Sequence, residues 1–322
     1  DRMQIYRAGL TRLFNNRKGK ASLMYKYAYS RNSGNELNAA PFIYVGDGSI
    51  KEIPGFEPGL ASYGPTSGEI EYLDIMDGKM KKANLRDLED NRSHEVTFLT
   101  DYTFDSGLKW NLDMKYMTAP EANYVDFGGS TISELTESDG YTLSDGTPYA
   151  GLVEGRRTWL HFGKVKNFLV TSELAQRFGN HQMRLGLNEW YYHLDYHSSS
   201  FQWTGSVQEY PEILTAPDGS RFRGFNELSP EYTKGYENKL ALYLTDDWQV
   251  SPKLNIYYGA RLEYYRMSAD QIAHSRYSGF YIGDTAPDGE VITPAKVTKD
   301  KLNYAATARV TYNVTKQFGL TA

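Results

Sequence analysis

The sequence predicts an all-β fold: an antiparallel transmembrane β-barrel, with long loops at one end of its strands and short turns at the other. Three observations predict it. Residues 240–250 and 254–264 alternate strictly, with Leu240, Leu242, Leu244, Trp248 and Val250 on one face of the first arm. Leu254, Ile256, Tyr258, Ala260, Leu262 and Tyr264 share one face of the second. Period-two alternation on both sides of the tight turn Ser251-Pro252-Lys253 is a β-hairpin pattern. Each arm holds about ten residues, the length a tilted strand needs to cross a bilayer. Finally, 27 Tyr and 29 Gly in 322 residues suit aromatic girdles and many turns.

The remaining elements follow the same grammar. A first hairpin is expected near 3–29, turning at Asn15-Asn16-Arg17-Lys18-Gly19 into a face of Ala21, Leu23, Tyr25, Tyr27 and Tyr29. A second lies near 94–117, where Val96, Phe98, Tyr102 and Phe104 precede the turn Asp105-Ser106-Gly107 and Leu108, Trp110, Leu112, Met114 and Tyr116 follow it. A third lies near 166–196, with Phe168, Val170 and Leu174 turning at Gly179-Asn180 into Met183, Leu185 and Leu187. The fourth is the 239–266 hairpin, and a last unit covers 302–322, turning near Thr315-Lys316. Long loops are expected at 31–93, 118–165, 197–236 and 267–301. Within the first, Pro54, Gly55, Pro58, Gly59, Gly64 and Pro65 oppose regular structure, while 79–90 could hold a short helix on Met80, Leu85 and Leu88. The pentapeptide Thr-Ala-Pro-Asp-Gly occurs at 215–219 and again at 285–289, a tight-turn signal in two loops. Short turns at one end and long loops at the other form the asymmetry of outer-membrane barrels, whose longer loops are extracellular.

The run Leu244-Thr245-Asp246-Asp247-Trp248-Gln249-Val250-Ser251-Pro252-Lys253-Leu254, followed by Tyr258-Gly259-Ala260-Arg261-Leu262-Glu263-Tyr264, resembles the barrel signature of TonB-dependent outer-membrane receptors. The phrase Asn303-Tyr304-Ala305-Ala306-Thr307-Ala308-Arg309-Val310-Thr311-Tyr312-Asn313-Val314 is similar to the strand that commonly follows it. The resemblance implies a barrel of about 22 strands with a plugged lumen. It also implies active import of siderophore-iron, haem, cobalamin, oligosaccharide or peptide, driven by the TonB–ExbB–ExbD complex through the plug. Ten strands are expected in residues 1–322, so the plug and remaining strands are expected outside this chain. The lipid bilayer and lipopolysaccharide would surround such a barrel, and some members of the family carry a surface lipoprotein.

Composition narrows the alternatives. Mean hydropathy is −0.59, which alternating strands produce as readily as soluble chains do. A net charge of −5 leaves no basic footprint for nucleic acid. Cysteine is absent, which rules out disulfides and thiolate chemistry. There is no nucleophile elbow, phosphate loop or His-Glu-x-x-His, so neither an enzyme nor a cofactor is expected. The turn pairs Asp139-Gly140 and Asp145-Gly146 lack calcium-loop spacing and suit ordinary turn chemistry. His193, Asp195 and His197 recur at alternate positions, a weak metal pattern set against a wet strand extension. Lys79, Lys81 and Lys82 suit a solvated turn better than a lipid-headgroup contact.

Two sets of site residues are expected. Arg261, Glu263, Arg184 and Asp113 should face the lumen, where a plug would dock. Trp203, Tyr210, Phe222 and Phe225 fall in an extracellular loop, where exposed rings would meet a ligand. The competing functions are a passive porin, a barrel that presents surface loops, and a soluble β-sandwich that binds carbohydrate. Membrane-length strands and one-ended loops argue against the sandwich.

Overall fold

In the computed structural model the described residues are 2–31, 42–54, 68–88, 90–208, 210–228, 230–272, 279–315 and 317–322. The strands in chain order are β1 (Arg2–Phe14), β2 (Gly19–Arg31), β3 (Ile43–Tyr44), β4 (Ile50–Lys51), β5 (Glu69–Leu73), β6 (Met80–Asn84), β7 (Asp90–Thr103) and β8 (Lys109–Leu135). Then come β9 (Gly151–Phe178), β10 (His181–Ser206), β11 (Phe222–Arg223), β12 (Tyr232–Ser251), β13 (Leu254–Ile272), β14 (Ala295–Asn313) and β15 (Gly319–Thr321). One eleven-stranded antiparallel sheet runs β1-β2-β7-β8-β9-β10-β12-β13-β14-β15, with β11 attached to β10. The pairs β3–β4 and β5–β6 stand apart from it.

The turn chemistry is local. Asn15, Asn16 and Arg17 adopt φ of 50°, 54° and 68° between β1 and β2, and Gly179 adopts 58° between β9 and β10. Asn and Gly tolerate this left-handed region, which a tight reversal requires. Both Thr-Ala-Pro-Asp-Gly copies fold alike: Gly219 N–H donates to Ala216 O at 2.9 Å, and Gly289 N–H to Ala286 O at 2.8 Å. The segment after β14 closes with Thr315 N–H donating to Phe318 O at 3.1 Å. Lys316, and residues 55–67 of the first loop, lie outside the described residues.

Register converts alternation into two faces. Leu185, Leu244, Ala260 and Ala306 are successive cross-strand partners, as are Leu187, Leu242, Leu262 and Tyr304. Leu242, Leu262 and Tyr304 are 52%, 49% and 88% exposed, an apolar surface suited to acyl chains and not to water. Aromatic pairs bound it. Phe14 stacks on Tyr102 and His181 on Trp248 at the short-turn end, and Tyr191 stacks on Tyr236 at the other. Trp248 and Tyr236 of β12 differ in height by about 29 Å at roughly 2.4 Å per tilted residue, close to a bilayer's hydrocarbon thickness.

Two carboxylates interrupt this face, and both have partners. Asp246 is buried, its Oδ2 accepting from Tyr258 Oη at 2.8 Å and lying 2.6 Å from His181 Nδ1. Glu189 accepts from the Asn238 amide. A strand-length count puts Tyr258 near mid-membrane, but its tie to Asp246 makes it a poor lipid probe. An Arg there would meet a carboxylate, so Leu244 is the cleaner position.

Beyond the membrane the sheet differs from the expected loops. β8, β9 and β10 hold 27, 28 and 26 residues against 13 in β1 and β2. Most of 118–165 is therefore strand, and only 136–150 connects β8 to β9. Likewise β10 and β12 extend into 197–236, and β13 and β14 into 267–301. In the 31–93 excursion, the residues offered as a helix form β6, which pairs with β5 and ends in a single 3-10 turn, Leu85–Asp87. Salt bridges Lys82–Glu69, Lys82–Glu71 and Lys81–Asp74 favour that pairing over a helix with a poor apolar stripe. They also neutralise Lys81 and Lys82 within the turn.

The protruding sheet carries its own core. Ile70, Tyr72, Leu85 and Leu88 from the first excursion pack on Tyr124 of β8, Leu160 of β9 and Phe201 and Trp203 of β10. By parity this is the face that lower down meets lipid, so the excursion covers the outside of the wall above the membrane. At the far end of β7, Arg31, Tyr29 and Arg92 hydrogen-bond Asp90 and hold its carboxyl at about 2, well below the usual range. The closing rung between β2 and β7 therefore stays ionised at any physiological pH.

Candidate functional site

The inner wall is built by the face opposite the apolar band. Arg261 and Glu263 of β13, Arg184 of β10 and Asp113 of β8 all fall on it by register. Arg261 Nη1 donates to Asn188 Oδ1 at 2.8 Å and Nη2 to Glu263 Oε2 at 2.9 Å. Asn303 Nδ2 reaches Glu263 Oε1 at 3.4 Å, and Asn188 Nδ2 donates to Thr171 Oγ1 at 3.0 Å. Beside this chain, Tyr243 Oη donates to Glu173 Oε2 at 2.9 Å, and Arg184 Nη1 lies 3.9 Å from Glu173 Oε1. Asp113 is exposed on the same wall. The wall is thus a belt of charge-assisted hydrogen bonds on the face opposite the apolar band.

The extracellular rings divide differently from expectation. Trp203 and Phe222 are 2% and 8% exposed and pair across β10 and β11. Trp203 Nε1 donates to Thr158 Oγ1 at 2.8 Å. These two cannot meet a ligand as exposed loop rings, because strand pairing has placed them in a core. Phe225 packs against that core half-buried, and Tyr210 alone of the four is well exposed, at 70%.

Beneath Trp203 lies a buried charge cluster that sequence reasoning missed. Arg156 Nε donates to Asp126 Oδ2 and Nη1 to Glu154 Oε2, each at 2.8 Å, and Thr158 Oγ1 donates to Asp126 Oδ1 at 3.0 Å. The guanidinium sits 5.4 Å from the Trp203 ring centre. Burial pushes both carboxyls above their ordinary range, against the pull of Arg156. The available signal was Glu154-x-Arg156-x-Thr158, polar groups at period two within a stretch read as loop.

Asn226 was also missed, and it ties the cap together. It is fully buried, with φ of 54°. Its Nδ2 donates to Leu73 O at 3.1 Å and Phe280 O at 3.0 Å, and its Oδ1 accepts from Ser200 N–H at 3.0 Å. Its own N–H donates to Ser200 O at 2.8 Å, and its carbonyl accepts from Gly279 N–H at 2.9 Å. Three excursions and β10 therefore meet at one side chain.

No group of three or more His, Cys, Asp or Glu able to hold a metal occurs among the described residues. Asp195 is 2.9 Å from Lys234 Nζ, and His197 stacks on Phe162, so the alternate His193, Asp195 and His197 do not converge. Asp139 and Asp145 accept bonds from Thr136 and Thr147 backbone N–H groups, as turn aspartates do.

The chain resembles several solved outer-membrane receptors at low identity. The ferric-catecholate import receptor Fiu of E. coli K12, in its closed form, aligns at 13% identity and a TM-score of 0.49, over 98% of this chain and 42% of that one. The siderophore receptor PiuA of Acinetobacter baumannii aligns at 10% identity and 0.29, over 98% and 46%. The ferric yersiniabactin uptake receptor FyuA of Yersinia pestis aligns at 7% and 0.29, over 97% and 42%. This chain spans less than half the length of each. No curated protein matches it. A model of the outer membrane beta barrel domain matches residues 80–318, a span that holds both the apolar band and the polar wall. The chain belongs to the outer membrane β-barrel domain family, and its place is the bacterial outer membrane.

Proposed function

We propose that this chain forms barrel wall and extracellular cap in a TonB-dependent importer of a nutrient: siderophore-iron, haem, cobalamin, oligosaccharide or peptide. The observation that carries the proposal is the cap. Three excursions share buried cores and the Asn226 junction above the membrane, a preorganised structure that passive diffusion of small solutes does not need. The polar wall supports the same reading. Arg261, Glu263, Arg184 and Asp113 offer hydrogen-bonding groups to a plug, which itself would engage TonB–ExbB–ExbD. Tyr210 is the exposed ring available to a ligand, while Trp203, Phe222 and Phe225 hold the cap in shape. Lipid and lipopolysaccharide surround the barrel, and a surface lipoprotein could sit on the cap. The reading needs no cofactor and assigns no reaction.

Whole-cell uptake of the cognate nutrient, with and without a working TonB, tests it. Accumulation should collapse to the level of passive entry when TonB is removed, with surface binding retained. Uptake that persists without TonB would favour a passive porin.

A further inference from the structure

The inner face of the protruding sheet carries a second feature that the charged belt does not use. Asn123 and Val125 of β8, His161 and Gly163 of β9 and Tyr196 of β10 line a cavity of about 250 Å³. Asn123 pairs with His161 and Gly163 with Tyr196, in register without a shift down to the membrane. All five positions therefore share a face with Asp113, Glu173 and Arg184. At roughly 2.4 Å per tilted residue, this level stands about 34–41 Å above the short turns, just past the hydrocarbon. The opposite face of the same strands is packed by the first excursion, so the cavity has a stiff back wall.

Its chemistry is neutral and hydroxyl-matched. Asn123 Oδ1 is buried without a hydrogen-bond partner, and so is Asn167 Oδ1, nearer the membrane on the same face. Buried acceptors of this kind call for a donor. Tyr196 Oη lies 2.7 Å from His161 Nδ1 and donates toward Glu231 Oε2 at 3.4 Å, which leaves His161 Nε2 as the ring's other polar atom. Burial holds His161 below the ordinary imidazole range, so the ring is neutral, and Tyr196 is pushed up to about 12. The stacked His161 and Tyr196 rings, with Val125, give an apolar platform. Among the described residues no Lys or Arg lines the cavity, and Glu231 meets Tyr196, which disfavours an anion. A platform of rings beside amide and imidazole groups suits a ligand whose hydroxyls both donate and accept.

The geometry points to a vestibule subsite at Asn123, His161 and Tyr196 that takes one ring of a neutral, polyhydroxylated ligand, such as an oligosaccharide unit. This rests on the import reading, which places that face inside the vestibule. The cavity is below the usual 300–1,000 Å³ of a whole-ligand pocket, and so fits about one sugar ring of a longer chain.

The test is equilibrium binding to the protein in isolated outer membranes, which needs no energy source and so stands or falls apart from TonB dependence. The probes are a panel of neutral hexose and pentose oligosaccharides, with a ferric tris-catecholate as the anionic counter-probe. The wild-type protein should bind at least one saccharide. Gly163→Leu, which fills the space, and Asn123→Leu should each weaken that binding by about tenfold or more. Asn123→Asp keeps the shape but puts a negative charge in a cavity whose Tyr196 already meets Glu231, and should lose binding with heat-modifiability of the barrel unchanged. No saccharide binding by the wild type, saccharide binding unaltered in all three variants, or loss of catecholate binding in its place would overturn the inference.

Discussion

Replacing Asn226 with Gly should release the extracellular cap as a unit. Glycine tolerates the φ of 54°, so the substitution removes the side chain without straining the backbone. Leu73 O, Phe280 O and Ser200 N–H then lose their partner within a packed interior. At about 1–3 kcal/mol for each buried group left unpaired, the junction should weaken by on the order of 3 kcal/mol, or roughly a hundredfold in local opening. Hydrogen–deuterium exchange should rise together in peptides covering 70–76, 198–202 and 279–284, while the membrane levels of β12 and β13 stay protected. Exchange confined to residues near 226 would mean that the excursions are held independently.

A charge on the lipid face should act on the barrel itself. Leu244 lies between Leu185 and Ala260 near the middle of the apolar band, without a carboxylate in register beside it. Leu244→Arg should cost about 2–4 kcal/mol, the usual penalty for Arg at the midplane of a barrel's outer surface. Thr307→Arg stands at the same level of β14, opposite Gly259 and on the polar wall, and should cost far less. Folded, heat-modifiable protein after urea titration reads the difference. Equal loss in the two variants would reverse the assignment of faces.

The membrane-level hairpins were legible because their determinants are local. Alternation of Leu240, Leu242 and Leu244 against Ala241, Tyr243 and Thr245 needs only a strand with one wet and one greasy side. The turns at Asp105-Ser106-Gly107, Gly179-Asn180 and Ser251-Pro252-Lys253 declare themselves by residue type. Above the membrane that contrast fades. Leu160 faces a protein core while His161 faces a polar cavity, and Pro120, Gly128 and Gly155 sit inside long strands. Period-two alternation therefore fades there, and the sequence pattern predicts loop where the chain continues as strand. Trp203 and Phe222 were misplaced for the same reason, since their burial depends on β11 returning to the edge of β10. Asn226 and Arg156 act through partners far away in sequence, which no window can see. Arg261, Glu263 and Arg184 share one polar face because alternation and register alone decide it.

The central claim is that one face of this sheet meets lipid and the other an aqueous, polar lumen. Single cysteines introduced at Arg261, Leu262, Glu263 and Tyr304, in a chain that has none of its own, test it most directly. In native outer membranes, Leu262→Cys and Tyr304→Cys should react with a lipid-phase thiol probe and resist an aqueous one. Arg261→Cys and Glu263→Cys should be shielded from the lipid-phase probe and react with the aqueous one wherever the lumen is open to it. Lipid-phase labelling at 261 and 263, with aqueous labelling at 262 and 304, would contradict the account.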